Sequence, residues 1–293
     1  MTLDQLRVFV TVARLGHVTR AGEALNLTQS AVSAAIAALE SRHGTRLFHR
    51  VGRGIQLTAE GALFLAEAEA VLARAAAAER ALTELSGLKR GALRLFASQT
   101  IAAYWLPPLL HRFHLRHPGI ALDLRQGNTA EVAAAVAACE ADIGFVEGTV
   151  DNPALVAEQV AEDAMVLVVG AHHPWAGNGR PDLRTLAEFD WVLREPGSGT
   201  RQVMEAALAA LGLAPGALRV GLELPSNEAV CSAVAVGAGA TVISHLVAAP
   251  RVALGELAIL GPALSRRSFC ALRPGSRRRG RAEEALLAVI REG

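Results

Sequence analysis

Three short stretches carry residue types that can hold a ligand. They are Ser98-Gln99-Thr100, Glu195-Pro196-Gly197-Ser198-Gly199-Thr200-Arg201 and Pro225-Ser226-Asn227-Glu228. The first two follow β-type apolar runs, and each of the three leads into a helical pattern. Such a junction leaves backbone N–H groups free at the positive end of a helix dipole, which suits an anion. The hydroxyls of Ser98 and Thr100 add donors on one side. Gly197 and Gly199 let N–H groups converge beside Ser198 and Thr200, and Arg194 or Arg201 can supply charge. Asn128 and Glu147 follow later strands and can line the same cleft; a glutamate there can instead meet an amine or cap a helix. The ligand that fits is a small, polar, anionic metabolite. Ordinary helix capping is the alternative at each junction taken singly.

Chemistry that makes or breaks bonds finds less support. The run 197–201 lacks the spacing of a nucleotide-cradling GxxxxGK[ST] loop, and Ser198 does not stand in GxSxG. His111, His114 and His117 recur every third residue with no carboxylate at a matching spacing, so they read as surface residues. Cys139, Cys231 and Cys270 are scattered with no CxxC, which argues against a zinc site or a disulfide framework and fits a reducing compartment. No catalytic residue, metal or cofactor is expected, and the chain does not read as an enzyme.

A second set of residues sits near the start. Val32, Ile36 and Leu39 recur at helical spacing and must face a core. The opposite face of that helix carries Ser30, Ser33, Ala34, Ala37 and Ser41, small and uncharged, so it can lie deep in a groove. Gln29 at the helix start is the best candidate for a base edge. Residues 47–58 then read as a β-hairpin with Arg50 and Arg53 near a glycine-rich tip, placed to meet phosphates or a minor groove. The elements behind these residues follow from the pattern. A first helix buries Leu3, Leu6, Phe9, Val10 and Ala13 and ends at Gly16; Thr19 caps a second helix to Leu25; Thr28 caps a third to about Arg42. Two helices joined by a tight turn make a helix-turn-helix, whose second member enters the DNA major groove, and the hairpin would be its wing. A generic three-helix domain with a solvated Ala/Ser face is the plainer alternative.

Charge separates the chain into parts. Of 293 residues, 52% are hydrophobic and 19% charged, enough to fill sizeable cores, and the net charge is +1. Residues 1–58 carry +4, residues 59–88 carry −3, and the remainder is neutral. Thr58 caps a long helix with no proline before residue 87, roughly 40 Å at 1.5 Å per residue. Phe64, Val71, Ala78 and Leu85 repeat every seven residues, with Ala68, Ala75 and Leu82 between them. That small apolar face suits a dimer seam; packing on its own chain is the alternative. From Gly91 onward strands alternate with helices, which predicts largely parallel sheets. The uncharged stretch 229–250 reads as helix, turn and buried strand rather than a membrane span, and the polar start lacks an export signal. The run Arg266-Arg267…Arg273…Arg277-Arg278-Arg279…Arg281 reads as a solvated loop before the final helix.

The motifs Leu3-Asp4-Gln5-Leu6-Arg7-Val8-Phe9, Ala21…Leu25, Leu27-Thr28-Gln29-Ser30-Ala31-Val32-Ser33, Gly44…Leu47-Phe48-His49-Arg50 and Leu57-Thr58…Gly61 resemble those of LysR-type transcriptional regulators. The resemblance implies an all-α winged helix-turn-helix over 1–58, a linker and dimerisation helix over 59–88, and an α/β two-lobed, periplasmic-binding-protein-like effector domain over 89–293. It further implies a first lobe of 91–161 with 268–293 and a second of 162–267. Double-stranded DNA, a small-molecule effector, a homodimer or homotetramer and a cytoplasmic setting without a membrane are its implied partners and place. DNA contact falls to Gln29, Ser30, Ser33, Arg50 and Arg53. Ser98 and Thr100 match the family's first-lobe effector positions, Thr200 the region across the cleft. Many relatives have a basic or polar residue where Ala34 stands and glutamine where Ala35 stands, so direct readout by this helix is expected to be modest. A solute-binding protein with the same two-lobed body is the alternative function.

Overall fold

A computed structural model describes residues 1–51, 54–85, 91–177, 181–275 and 277–292. The chain divides into two units, Met1–Leu82 with Ala138–Glu140, and Thr83–Ala137 with Ala141–Gly293.

In the first unit, helices α1 (Leu3–Leu15), α2 (Val18–Leu25) and α3 (Gln29–His43) precede strands β1 (Phe48–Val51) and β2 (Gly54–Leu57) and helix α4 (Ala59–Leu85). Local chemistry sets most ends. Thr2 and Gln5 form a reciprocal capping box on α1, and Gly16 closes it with φ +61°. Thr28 accepts a hydrogen bond from the Ala31 N–H and caps α3. Helix α2 departs from expectation: it begins at Val18, capped by the imidazole of His17 accepting from the Arg20 N–H, and Thr19 lies inside it. Asn26 at φ 55° makes the turn into α3. Val32, Ile36 and Leu39 are buried as their spacing demands. They pack with Leu6, Phe9 and Phe48. The Phe9 ring lies 5.3 Å from that of Phe48 and 4.9 Å from that of Phe64, so hairpin and α4 share one core with α1. Phe64 and Ala68 of the proposed seam therefore pack within this chain, while Leu63 (76% exposed) and Val71 (41%) stay open to solvent.

The second unit holds β3 (Gly91–Ser98), a π-helical turn (Ile101–Trp105), α5 (Leu106–Arg116), β4 (Ile120–Gly127), α6 (Thr129–Ala137), β5 (Ile143–Glu147) and β6 (Leu155–Gly170). It continues with α7 (Leu183–Glu188), β7 (Asp190–Arg194), α8 (Gly199–Ala210), β8 (Arg219–Leu224), α9 (Asn227–Ala235) and β9 (Thr241–Ser244). Helix α10 (His245–Ala253), β10 (Leu257–Ile259), β11 (Ser265–Pro274) and α11 (Arg281–Arg291) complete it. The main sheet runs β10-β6-β11-β5-β3-β4, with β9 also on β6. It is mixed, which corrects the expectation of largely parallel sheets. β3 runs parallel to β4 and β5, but β6 and β11 pair antiparallel from Ser265↔Met165 to Pro274↔Leu155. This long pair passes through both lobes. The first lobe packs its core around Phe113, Phe145 and Phe269, the second around Trp191, Met165 and Leu208. A second correction concerns the arginine run: 266, 267 and 273 lie in β11, and Arg267 is 5% exposed. The stretch 229–250 divides among α9, β9 and α10, and no helix among the described residues is long and apolar enough to cross a membrane.

Candidate functional site

The first unit offers an open groove of about 440 Å³ of mixed polar and apolar lining, which includes His17, Thr19, Gln29, Ser33, Ala37 and Arg50. It lies between the start of α2, the outer face of α3 and the hairpin. Gln29, Ser30, Ser33 and Arg50 are all exposed, and Ser30 shares a hydrogen bond of 3.0 Å with the capping Thr28 hydroxyl. Glu40 accepts from the backbone N–H groups of Leu47 (2.7 Å) and Phe48 (3.1 Å), which ties the hairpin's entry to α3. Arg53 lies outside the described residues.

The second site is buried between the lobes. Glu147, the last residue of β5, is 2% exposed. Its carboxylate accepts a short hydrogen bond from the Ser98 hydroxyl at the end of β3. Thr200, in the first turn of α8 across the cleft, donates to the same carboxylate at 3.4 Å. Arg267 Nη1 stands 3.6 Å from Glu147 Oε1, while Arg267 Nε and Nη2 both lie 2.8 Å from Asp163 Oδ2. The guanidinium also donates to Thr200 Oγ1 (3.1 Å) and Thr100 Oγ1 (3.3 Å), and Ser244 completes the shell of Asp163 at 3.0 Å. One cation thus sits between two buried carboxylates. Burial of that kind is tolerated only when each charge is paired and hydrogen-bonded, as here.

Further polar bonds cross between the lobes. Asn227, the first residue of α9, donates its N–H to Gln99 Oε1 (2.6 Å) and its amide to Thr100 Oγ1 (3.0 Å). It accepts from Arg194 Nη1 at 2.6 Å, and Arg194 is held bidentate by Glu195. Tyr104 in the π-helical turn donates to Glu228 at 3.1 Å; burial and the neighbouring carboxylate push its hydroxyl up to about 12. Backbones meet where Gly199 abuts β5: a Cβ there would lie 2.1 Å from the Glu147 carbonyl oxygen, so only glycine fits.

The geometry sorts the residues named from sequence. Ser98, Thr100, Glu147 and Thr200 come together. Ser198 is buried but accepts from the Arg201 N–H as the cap of α8. Asn128 caps α6, accepting from the Glu131 N–H at 3.0 Å while Glu131 accepts from its own N–H. Arg201 turns to Glu205 (2.8 Å), Glu223 (2.6 Å) and the Arg194 carbonyl (3.0 Å), away from the cluster. Those partners, Glu205 first, hold its guanidinium in the charged form. The central cation, Arg267, and its partner Asp163 were absent from the sequence candidates. A period of two through Arg267 and Phe269, both buried in β11, is the signal that marks it. Among the described residues no cluster of three metal-ligand side chains occurs.

Comparison with known proteins bears on both sites. The sequence model of the bacterial regulatory helix-turn-helix protein, lysR family, matches residues 3–62, and that of the LysR substrate binding domain matches residues 86–293. The chain is 36% identical over 266 residues to the HTH-type transcriptional regulator YeiE of Escherichia coli K12, covering 91% of this chain and 88% of that protein. Full-length CbnR complexed with its target DNA has a similar fold, with TM-score 0.75, 20% identity and coverage of 100% and 99%. The regulatory domain of Synechocystis PCC6803 CcmR, solved in complex with 2-PG, has TM-score 0.63 and 26% identity, covering 69% of this chain and 97% of that one. With its helix-turn-helix DNA-binding segment and its two-lobed effector-binding domain, this chain belongs to the LysR family of transcriptional regulators.

Proposed function

We propose that this regulator reads its operator with α3 and the β1–β2 hairpin, and that a small anionic metabolite bound between the lobes alters that reading. Gln29, Ser30 and Ser33 supply base-edge and phosphate contacts from the exposed face of α3, with Arg50 and Arg53 following the backbone. The observation that carries the effector site is the convergence of Ser98, Thr100, Thr200 and Arg267, drawn from both lobes, on one buried point. A ligand making those contacts has different affinity for open and closed lobes, which is what a switch requires. That the similar CcmR regulatory domain was solved in complex with 2-PG supports a small molecule as the effector of this domain. We further propose assembly as a homodimer or homotetramer through α4, on whose surface Leu63 and Val71 lie exposed. The DNA-binding match over residues 3–62 weighs against the alternative of a solute-binding protein.

The test has two arms. A gel shift compares the DNA upstream of the gene with random duplex of equal length; no preference removes the reader. Small carboxylates and phosphates are then screened by melting temperature. Ser98→Ala and Thr200→Val each weaken the best ligand about tenfold or more. Unaltered affinity in both variants removes the cleft.

A further inference from the structure

The inter-lobe cluster contains its own anion. Glu147 and Arg267 are 2% and 5% exposed, so neither is a solvated side chain that happens to drift inward. The Glu147 carboxylate takes a hydroxyl from the first lobe (Ser98) and one from the second (Thr200). These are the same hydroxyls that a bound metabolite needs. The two carboxylates beside Arg267 are not equivalent. Asp163 is held at 2.8 Å by two guanidinium nitrogens and at 3.0 Å by Ser244. Glu147 lies 3.6 Å from the nearest guanidinium nitrogen, and Thr200 reaches it at 3.4 Å. Asp163 is the fixed counter-ion of Arg267; Glu147 is held chiefly by the Ser98 hydroxyl and only distantly by the guanidinium and Thr200.

We propose that Glu147 is a tethered occupant of the effector site: its carboxylate rests where the effector's oxyanion docks, and that oxyanion enters by displacing it. This rests on the cleft being the effector site. It narrows the effector to a molecule that presents a carboxylate-sized oxyanion to Ser98, Thr200 and Arg267. It also assigns Glu147 a role in setting the response threshold. A tethered group competes at high effective concentration, so the apparent affinity of any free anion is lowered by the fraction of time the tether is in place. Displacement swings the Glu147 side chain away from Thr200 and breaks one link between the lobes, which connects occupancy to lobe geometry.

Chemical rescue tests this without knowing the effector. Glu147→Ala in the full-length chain opens a carboxylate-sized gap whose donors are left without their acceptor. Sodium formate supplies the missing anion; formamide has the same size and shape without the charge. The expected result is a rise in melting temperature of about 4 °C at about 100 mM formate in Glu147→Ala, above any shift of the unmutated chain in the same salt. Formamide gives no such rise, and adding Arg267→Met abolishes it. A folded Glu147→Ala that ignores formate, or that responds equally to formamide, overturns the proposal. Should Glu147→Ala be unfolded in plain buffer, the same titration reads recovery of the folded signal. No recovery, with the isosteric Glu147→Gln folding normally, overturns it as well. Operator affinity is measured alongside. Formate uptake without any change in DNA binding supports the tethered occupant while counting against coupling between cleft and DNA.

Discussion

Gln29, Ser30, Ser33 and Arg50 of the N-terminal unit are exposed, whereas Ser98, Thr100, Glu147, Thr200 and Arg267 of the cleft are each 5% exposed or less. The two regions use the same side-chain types under opposite solvation. On α3 the polar groups keep their water until a partner arrives, and the stability of the unit comes from Phe9, Val32, Ile36 and Leu39 beneath them. In the cleft the polar groups have lost their water already, and each is stable only because the others satisfy it. Specificity at the first region is therefore separable from folding, and at the second it is not. That difference is measurable, because Trp105, Trp175 and Trp191 all lie in the C-terminal unit and its unfolding can be followed by their fluorescence alone.

The largest effect is expected from Arg267→Met. Removing the guanidinium strands Glu147 and Asp163 as two buried carboxylates, and breaking such a pair costs about 3–5 kcal/mol. Arg50→Met in the exposed hairpin changes stability by less than about 0.5 kcal/mol. Urea titrations followed by tryptophan fluorescence compare Arg267→Met with the unmutated chain; a midpoint unmoved by the substitution breaks the contrast between the regions.

A second carboxylate sharpens it. Glu283, in the first turn of α11, is 1% exposed and pairs with Arg277. Burial pushes its carboxyl up to about 7, with Asp142 adding to the rise and Arg277 opposing it. A carboxyl whose folded pKa lies above its unfolded one favours folding most when protonated. Its contribution is full below about 4.5, falls as pH rises, and is gone above about 7, a change of about 3 kcal/mol. Glu283→Gln, which cannot ionise, flattens this slope. Stability curves of the two proteins between pH 5 and 8 isolate the effect by difference; parallel curves remove it.

How far these features could be read from the bare chain follows the same division. The caps at Gly16, Thr28 and Thr58 and the buried faces of α1 and α3 were legible, because each depends on residues within a turn or two. His17 was missed as the cap of α2 because Thr19, two residues on, is the commoner capping type. Ser98, Thr100 and Thr200 were legible as hydroxyls at strand-to-helix junctions. Arg267 was not: it sits in an arginine-rich run, and its partner Asp163 is 104 residues away. The first half of β6, too polar to read as a strand, hid the long pairing with β11 that carries both residues. The alternation with Phe269 marks only the inward face of Arg267; nothing in the neighbouring sequence names the carboxylate it pairs with.

The smallest effects are those expected on the DNA face, and they separate two roles inside it. Arg50 stands on the hairpin with its charge in solvent, so its contribution is a phosphate contact and the counterion that contact releases. Arg50→Ala then weakens binding to operator and to random duplex alike, and lowers the slope of log affinity against log salt by about 1. Gln29 at the start of α3 offers a carboxamide to a base edge. Gln29→Ala leaves the salt slope unchanged and costs about 1–3 kcal/mol on the operator alone, relaxing preference at one base pair. Neither substitution moves the tryptophan-detected unfolding curve, since both positions are exposed and lie in the other unit. Salt-titrated fluorescence anisotropy on both duplexes distinguishes them. Equal losses on operator and random DNA for Gln29→Ala would mean that the small, uncharged face of α3 only positions the protein, leaving discrimination to the shape and bending of the duplex.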